Sequence, residues 1–111
     1  MDRDRITHVA ADGPLLRTGA DALELIFADD ADLLVVPAQR LDPAFFDLSS
    51  GVAGEFAQKF VNYRKRLAIV GDISAAVDGS GALRDFVRES NRGRQLWFVA
   101  DDAELNVRLA G

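Results

Sequence analysis

The sequence predicts an α/β domain built on a small mixed, mostly parallel sheet of four to five strands, with about four helices. The first observation is a set of continuous apolar runs of strand length, at Leu33–Val36, at Leu67–Val70 and over the last four residues of Gln95–Val99. Such runs are typical of strands that are covered on both faces. The second observation is that segments with the helical spacing of apolar residues separate these runs. Because strands joined by helices run parallel, the sheet is predicted to be mostly parallel.

Each predicted element has a local signal. In chain order the elements are a strand at Ile6–Ala10, a short apolar piece at Leu15–Leu16, a helix at Ala20–Ala28, a strand at Leu33–Val36, the longest helix at Gly51–Tyr63, a strand at Leu67–Val70, a helix at Ala82–Asn91, a strand at Gln95–Val99 and a final helix starting with Asp101 and Glu104. Thr18 and Asp21 have the spacing of a capping-box pair before the first helix. In that helix Leu23, Ile26 and Phe27 form one apolar face.

Length and composition restrict the class of protein. The 111 residues predict one domain over residues 1–111, with residues 1–5 flexible or guarding a sheet edge. The net charge of −5 argues against binding a nucleic-acid backbone. No apolar run is long enough to cross a membrane, and there is no cysteine for a disulfide or a thiolate metal site. We therefore expect a cytoplasmic protein with no nucleic-acid or membrane partner.

Three segments carry a resemblance to a known family: FFDLSSGVAGEFAQKFVNYR, LAIVGD and LRDFVRESNRG. They resemble a bacterial family described as domain of unknown function 4180, over nearly the whole chain from Ile6 onward. The resemblance implies an α/β fold and no particular reaction.

A more distant resemblance is to STAS domains, the anti-sigma-factor antagonists. These have Asp-Ser-Ser/Thr-Gly entering a helix, with a serine that a partner kinase phosphorylates. Asp47-Leu48-Ser49-Ser50-Gly51 is similar but contains the extra Leu48. The resemblance implies a STAS-like fold, with an additional strand before Ile6 for which only Met1–Arg5 is available.

Ser49 and Ser50 are the first candidate site. A phosphate at the start of a helix would be stabilised by free N–H groups and the helix dipole, which makes a phosphorylation switch one hypothesis. The alternative is that one of these serines is the N-cap of the longest helix, and this structural role is favoured. The two roles are compatible.

Asp72 is the second candidate, because it follows a predicted strand at the edge where α/β proteins bind ligands. Asp42, Asp47, Ser50 and Gly51 are expected near the same edge, where carboxylates serve as a base or bind a cation. The alternative, a simple Gly-Asp turn, is favoured. We expect no catalytic residue, no resident metal and no cofactor.

Arg84, Arg88 and Arg92 form a third candidate, because their spacing of four places them on one helix face. The hypothesis is a docking face for an acidic partner or an anion. The favoured alternative is a solvated face in which the arginines pair with Asp85 and Glu89.

Isolated polar and aromatic side chains are given structural roles. His8, the sole histidine, is predicted to be structural. Trp97 and Tyr63 are predicted to lie in the core or at its edge, with their polar atoms near partners.

Three functional hypotheses follow from these observations. The first is a non-enzymatic regulatory or protein-interaction module, with the helix that begins near Ser50 as its contact surface and a kinase or regulator as its partner. The second is a small-ligand or anion-binding domain, or an enzyme, with Asp47, Ser50 and Asp72 around a cleft at the strand ends; it predicts a concave site that holds at least two of these groups. The third is a structural subunit that forms homo-oligomers, with a homodimer through Ile6–Ala10 or the longest helix as its simplest form.

Overall fold

The computed structural model describes residues 5–111, and they form one parallel sheet with helices on both faces. The sheet has four strands that lie side by side in chain order: β1 Ile6–His8, β2 Leu33–Pro37, β3 Arg66–Val70 and β4 Leu96–Val99. The register places Val35 beside Ala68, and Ala68 beside Trp97. The two outer strands of the described sheet are therefore β1 and β4.

Five α-helices connect and follow the strands. They are α1 Gly19–Ala28, α2 Val52–Asn62, α3 Ser74–Asp78, α4 Gly81–Arg92 and α5 Asp102–Ala110. The long connection between β2 and α2 contains three 3₁₀ turns, at Ala38–Arg40, Pro43–Phe46 and Leu48–Ser50.

The alternating side chains of the strands divide the core into two layers. On one face, Leu34, Ile69 and Phe98 pack with side chains of α1, α2 and α4. On the other face, Val35, Ala68 and Trp97 pack with Leu105 of α5. The helix α5, which follows β4, therefore lies on the opposite face of the sheet from α1, α2 and α4.

The prediction of a small α/β domain is confirmed, with one change in the sheet. All four described strands are parallel, whereas a mixed sheet was predicted. The expected second strand at Leu15–Leu16 forms only an isolated bridge, between Leu16 and Leu41. The remaining strands are each joined by a helix, and such crossovers produce parallel pairs. The helix α3 was not predicted, because the segment Ser74–Asp78 is only five residues long.

The capping signals of the first and last helices were interpreted correctly. Thr18 accepts a hydrogen bond from the Asp21 N–H, and the Asp21 carboxylate accepts from the Thr18 N–H at 3.2 Å, which completes the predicted capping box of α1. The Asp101 side chain accepts from the Glu104 N–H at 2.9 Å and caps α5. These bonds involve residues three apart, so sequence alone is sufficient to locate them.

A buried arginine was not predicted. Arg40 follows β2, and its guanidinium donates to the carbonyl oxygens of Ala10 at 2.8 Å and Pro14 at 3.0 Å. It thereby ties the loop after β1 to the connection after β2. Buried arginine is uncommon unless its donors are satisfied, and here main-chain carbonyls accept from it.

The chain contains no transmembrane candidate in residues 5–111, where no helix combines the necessary length and hydrophobicity. The proposed edge-guarding role of the N-terminal residues, and the additional strand before Ile6, concern residues 1–4 and lie outside the described part of the chain. Arg5 itself is described, and its N–H donates to the Asp32 carboxylate at 2.9 Å.

Candidate functional site

The turn before α2 holds both candidate serines in hydrogen bonds. The Ser49 hydroxyl donates to the Asp47 carboxylate at 2.6 Å. The Ser50 hydroxyl donates to the Ala44 carbonyl at 2.6 Å and accepts from the Val52 N–H at 3.2 Å. Both serines are exposed. The hydroxyls therefore stabilise the turn while remaining accessible from solvent.

The prediction that one of these serines is the N-cap of the long helix is wrong in position. Gly51 is the N-cap of α2, with φ of +79° and no side-chain cap. Leu48–Ser50 forms its own 3₁₀ turn, and the chain then enters the helix through a left-handed residue. Glycine adopts that conformation without a steric penalty. Ser50 still serves the first turn of the helix, because its hydroxyl accepts from the Val52 N–H.

Asp72 lies where the sequence placed it, just after β3. Its Oδ1 accepts a hydrogen bond from the Ser74 N–H at 2.9 Å. The hydrogen bond from the Ser74 side chain and, to a smaller extent, the one from the Ser74 backbone hold the pKa of the exposed Asp72 carboxyl below its ordinary value. The preceding Gly71 has φ of +151°, and a Cβ there would lie 2.8 Å from the Ala38 Cβ. This turn therefore requires glycine both for its conformation and for the close approach of the next connection.

Two cavities lie on either side of Asp72 at the carboxyl ends of the strands. One has a volume of about 270 Å³ and the other about 400 Å³. They share the segment Gly71–Ile73. The smaller cavity continues between α3, α4 and the end of β4, and the larger one continues between α3 and the connection after β2.

The structure does not bring the other expected acidic and hydroxyl groups to these cavities. Among the described residues that line them, Asp42, Asp47, Ser50 and Gly51 are absent, and Phe46 alone represents the turn before α2. The 3₁₀ turns of that segment use Asp42 and Asp47 as caps, so each carboxylate accepts main-chain N–H groups within two residues. Neither cavity therefore holds two of Asp47, Ser50 and Asp72, and a cleft shared by these residues stays a prediction.

The arginine row on α4 is exposed, and its side chains bond to neighbours on α4 and at the end of α3. Arg88 pairs with Asp85 at 3.1 Å, and Arg92 pairs with Glu89 at 3.0 Å. Arg84 donates to the carbonyl oxygen of Val77, at the end of α3, at 3.4 Å. These contacts are those of the solvated-face alternative, and a docking role for this row stays a prediction.

An exposed aromatic pair lies at the opposite end of the molecule. The rings of Phe27 and Tyr63 meet edge to face, with centroids 4.9 Å apart and an interplanar angle of 85°. Phe27 is 64% exposed and Tyr63 is 46% exposed. We call Phe27 and Tyr63 the aromatic patch. It joins the carboxyl ends of α1 and α2.

The aromatic patch corrects two predictions. Phe27 was expected on the inner face of α1, but Ala22 and Ile26 form that face. Tyr63 was expected in the core or at its edge, yet it lies at the C-cap of α2 and faces solvent. Successive helical residues are about 100° apart, so Phe27 turns outward once Ile26 points inward. No spacing rule distinguishes these two orientations for neighbouring apolar residues.

A third cavity, of about 420 Å³, adjoins the aromatic patch. Phe27 and Tyr63 contribute its aromatic wall, and Asp29, Asp30 and Lys65 contribute charge. Lys65 lies 4.0 Å from Asp30, which also pairs with Arg5 at 2.9 Å. Charged groups thus surround the apolar rings at this end of the sheet.

The remaining candidates have structural surroundings. His8 is exposed on the outer strand β1, and residues 5–111 contain no cluster of three or more His, Asp or Glu side chains able to hold a metal ion. Trp97 is buried as predicted, and its Nε1 donates to the Gly93 carbonyl at 2.8 Å. The guanidinium carbons of Arg66 and Arg108 lie 4.5 and 4.7 Å from the centroid of its ring. Two cations therefore stack on this indole.

The fold and the two ends of the sheet define a small parallel α/β domain with an exposed aromatic patch at one end and paired cavities at the other. The chain belongs to the family described as Domain of unknown function (DUF4180), whose model matches residues 1–109. No curated protein and no solved structure matches it. The resemblance drawn from the three sequence segments is thereby confirmed, and the more distant likeness to STAS domains stays a prediction.

Proposed function

We propose that the protein is a regulatory protein-interaction module and that the aromatic patch is its contact surface. The observation that carries the proposal is the exposure of an ordered aromatic pair, with Phe27 64% and Tyr63 46% exposed. Aromatic side chains are enriched at the energetic centres of interfaces, because each buries a large apolar area at little entropic cost. The site includes the far end of α2, the helix that the sequence analysis favoured as a contact surface.

The surroundings of the aromatic patch fit the polar rim of an interface. Asp29 and Asp30 follow α1 directly, and α1 has no basic residue in its last turn. The carboxyl end of a helix carries partial negative charge, which these two carboxylates increase. Lys65 and Arg5 offset part of this charge through Asp30. A partner that places an apolar side chain on the rings and a basic side chain near Asp29 matches this surface best.

The proposal is tested by comparing partner capture by matched variants. Phe27→Ser and Tyr63→Ser remove the rings from an exposed site, and Val107→Ser is the control because Val107 on α5 is 72% exposed. Each tagged protein is incubated with lysate of the cells that naturally produce it, and bound proteins are quantified by mass spectrometry. We expect a partner that the wild type and Val107→Ser retain and that both patch variants lose. Its capture should weaken as salt is raised, because the charged rim is solvent-exposed.

Two outcomes contradict the proposal. One is a set of bound proteins that does not differ between the patch variants and Val107→Ser. The other is a concentration-dependent dimer in sedimentation that the patch variants abolish, because the patch would then join two copies of this chain instead of a different protein. Circular dichroism of every variant verifies that a loss of capture does not come from unfolding.

A further inference from the structure

We propose a small-molecule site in the cavity between the ends of β3 and β4, which takes an amine with a compact apolar body. The site is independent of the aromatic patch, which lies at the other end of the sheet. Four observations carry it: the topology at this edge, the apolar wall of the cavity, the charge at its mouth and the absence of basic side chains from its described lining.

The topology opens a crevice at this position. The connection after β3 leads to α3 and α4, whose side chains pack on the face that contains Phe98. The connection after β4 leads to α5, which packs on the face that contains Trp97. Because the chains leaving two neighbouring strands diverge to opposite faces, a crevice remains between them at their carboxyl ends. Open α/β sheets bind ligands in crevices of this kind.

The wall of the crevice is apolar. Ile73, Val77 and Val87 are half-buried and line the cavity of about 270 Å³, with buried Phe98 behind them. These side chains come from α3, α4, β4 and the turn before α3. A compact apolar group would remove their remaining surface from water, which favours binding. The volume is just below the usual range of about 300–1,000 Å³ for ligand pockets and therefore suits a small molecule.

The charge around the cavity is negative. Asp72 and Asp78 both contribute to its lining, and none of the described residues that line it is basic. Arg84 is not part of this lining, and its guanidinium donates to the Val77 carbonyl at the end of α3. The hydrogen bonds from Ser74 lower the pKa of Asp72, so its carboxylate is charged at neutral pH. An anion would be repelled here, whereas a protonated amine would pair with Asp72 while its apolar part enters the cavity.

The test uses phenethylammonium as the probe and follows backbone amides of the ¹⁵N-labelled full chain by NMR. We expect saturable shifts at Gly71–Ser74 and Ala100, the residues at the mouth of the cavity, at probe concentrations up to about 10 mM. Two matched molecules separate the contribution of the positive charge from that of the aromatic ring. Ethylammonium has the charge without the ring, and 3-phenylpropionate has the ring with the opposite charge; we expect neither to saturate the site.

Two variants and one control locate the binding. Asp72→Asn should weaken binding of the probe about two- to fivefold, the range expected for a solvent-exposed ion pair. Ala100→Phe places a ring at the exposed mouth of the cavity and should weaken binding more than about tenfold. Asp102→Asn is the control, because Asp102 is an exposed carboxylate on α5 outside the cavity lining, and it should leave the affinity unchanged.

The inference is overturned by any of three results. These are no saturable shift at the named amides, equal binding of 3-phenylpropionate, and equal binding by Ala100→Phe with its spectrum otherwise native. None of these results bears on the aromatic patch, so the two proposals fail or succeed separately.

Discussion

The side-chain amide of Asn91 forms two hydrogen bonds with the main chain of Phe98. The Phe98 N–H donates to the Asn91 Oδ1 at 2.7 Å, and the Asn91 Nδ2 donates to the Phe98 carbonyl at 3.1 Å. Phe98 lies in β4, an outer strand of the described sheet. The amide occupies the position that a further strand would take, and it satisfies both polar groups of one edge residue. An unpaired edge is a template for aggregation, so Asn91 protects this one.

Asn91→Ala should destabilise the fold. The substitution leaves the N–H and the carbonyl of Phe98 without their partner in a half-buried position, and each unsatisfied group costs about 1–3 kcal/mol. We expect a fall in the free energy of unfolding of about 2–4 kcal/mol in urea denaturation. The exposed edge should also increase aggregation near the unfolding midpoint, measured by light scattering.

The matched control for this substitution is Asn106→Ala, because Asn106 is exposed on α5. It should change the free energy of unfolding by less than about 0.5 kcal/mol. Equal stabilities for the two variants would mean that the amide is dispensable to the sheet edge.

Asp72 should titrate below its ordinary pKa of 3.8 in the folded protein. Ser74→Ala removes the side-chain hydrogen bond, which is the largest cause of the lowering, and keeps the backbone one. The pKa of Asp72 should therefore rise toward its ordinary value in this variant without reaching it. Carboxyl ¹³C chemical shifts followed from neutral to acidic pH measure the difference.

The lowered pKa of Asp72 also determines how its contribution to the stability of the fold changes with pH. A carboxyl with a lowered folded pKa stabilises the fold above its unfolded pKa, and that contribution disappears as the pH falls through the folded value. Ser49→Ala is the control, because the Ser49 hydroxyl bonds to Asp47 and not to Asp72. A Ser74→Ala titration that coincides with that of the wild type would show that the Ser74 hydroxyl does not act on Asp72.

Phosphorylation in the turn before α2 stays a prediction, and the geometry favours Ser50 over Ser49. A phosphate on Ser49 would lie beside the Asp47 carboxylate, which accepts from its hydroxyl at 2.6 Å, and like charges repel. A phosphate on Ser50 would lie next to the first turn of α2, whose N–H groups attract an anion. Intact-mass measurement after incubation with ATP and cell extract should show one phosphate on wild type and Ser49→Ala, and none on Ser50→Ala.

The opposite pattern, with the phosphate kept in Ser50→Ala, would assign the modification elsewhere. If no protein gains the mass of a phosphate, the switch hypothesis is wrong and the serines act only in the turn. Ser50→Ala must first be verified as folded, since its hydroxyl also holds the Ala44 carbonyl.

Function was less accessible from the sequence than fold was. The sequence predicted a candidate site at the carboxyl end of β3, and two cavities flank Asp72 there. It also placed Asp47 and Ser50 in one cleft with Asp72, but neither of them lines these cavities, and their side chains form hydrogen bonds within their own turn. Three half-buried valine and isoleucine side chains form the apolar wall of the cavity, and nothing in their spacing separates them from ordinary core residues.

The sequence by itself determined the features that depend on neighbours along the chain. The buried runs became strands because continuous apolar segments need cover on both faces, and Thr18 with Asp21 started α1 because a capping box closes within one turn. Only the tertiary structure decided that Phe27 and Tyr63 would meet at the surface, that Arg40 would bind the loop after β1, and that Asn91 would close the edge of β4. These pairs join residues far apart in the chain or depend on how a helix is rotated against the sheet. The packing of the whole core sets both, and no local pattern encodes them.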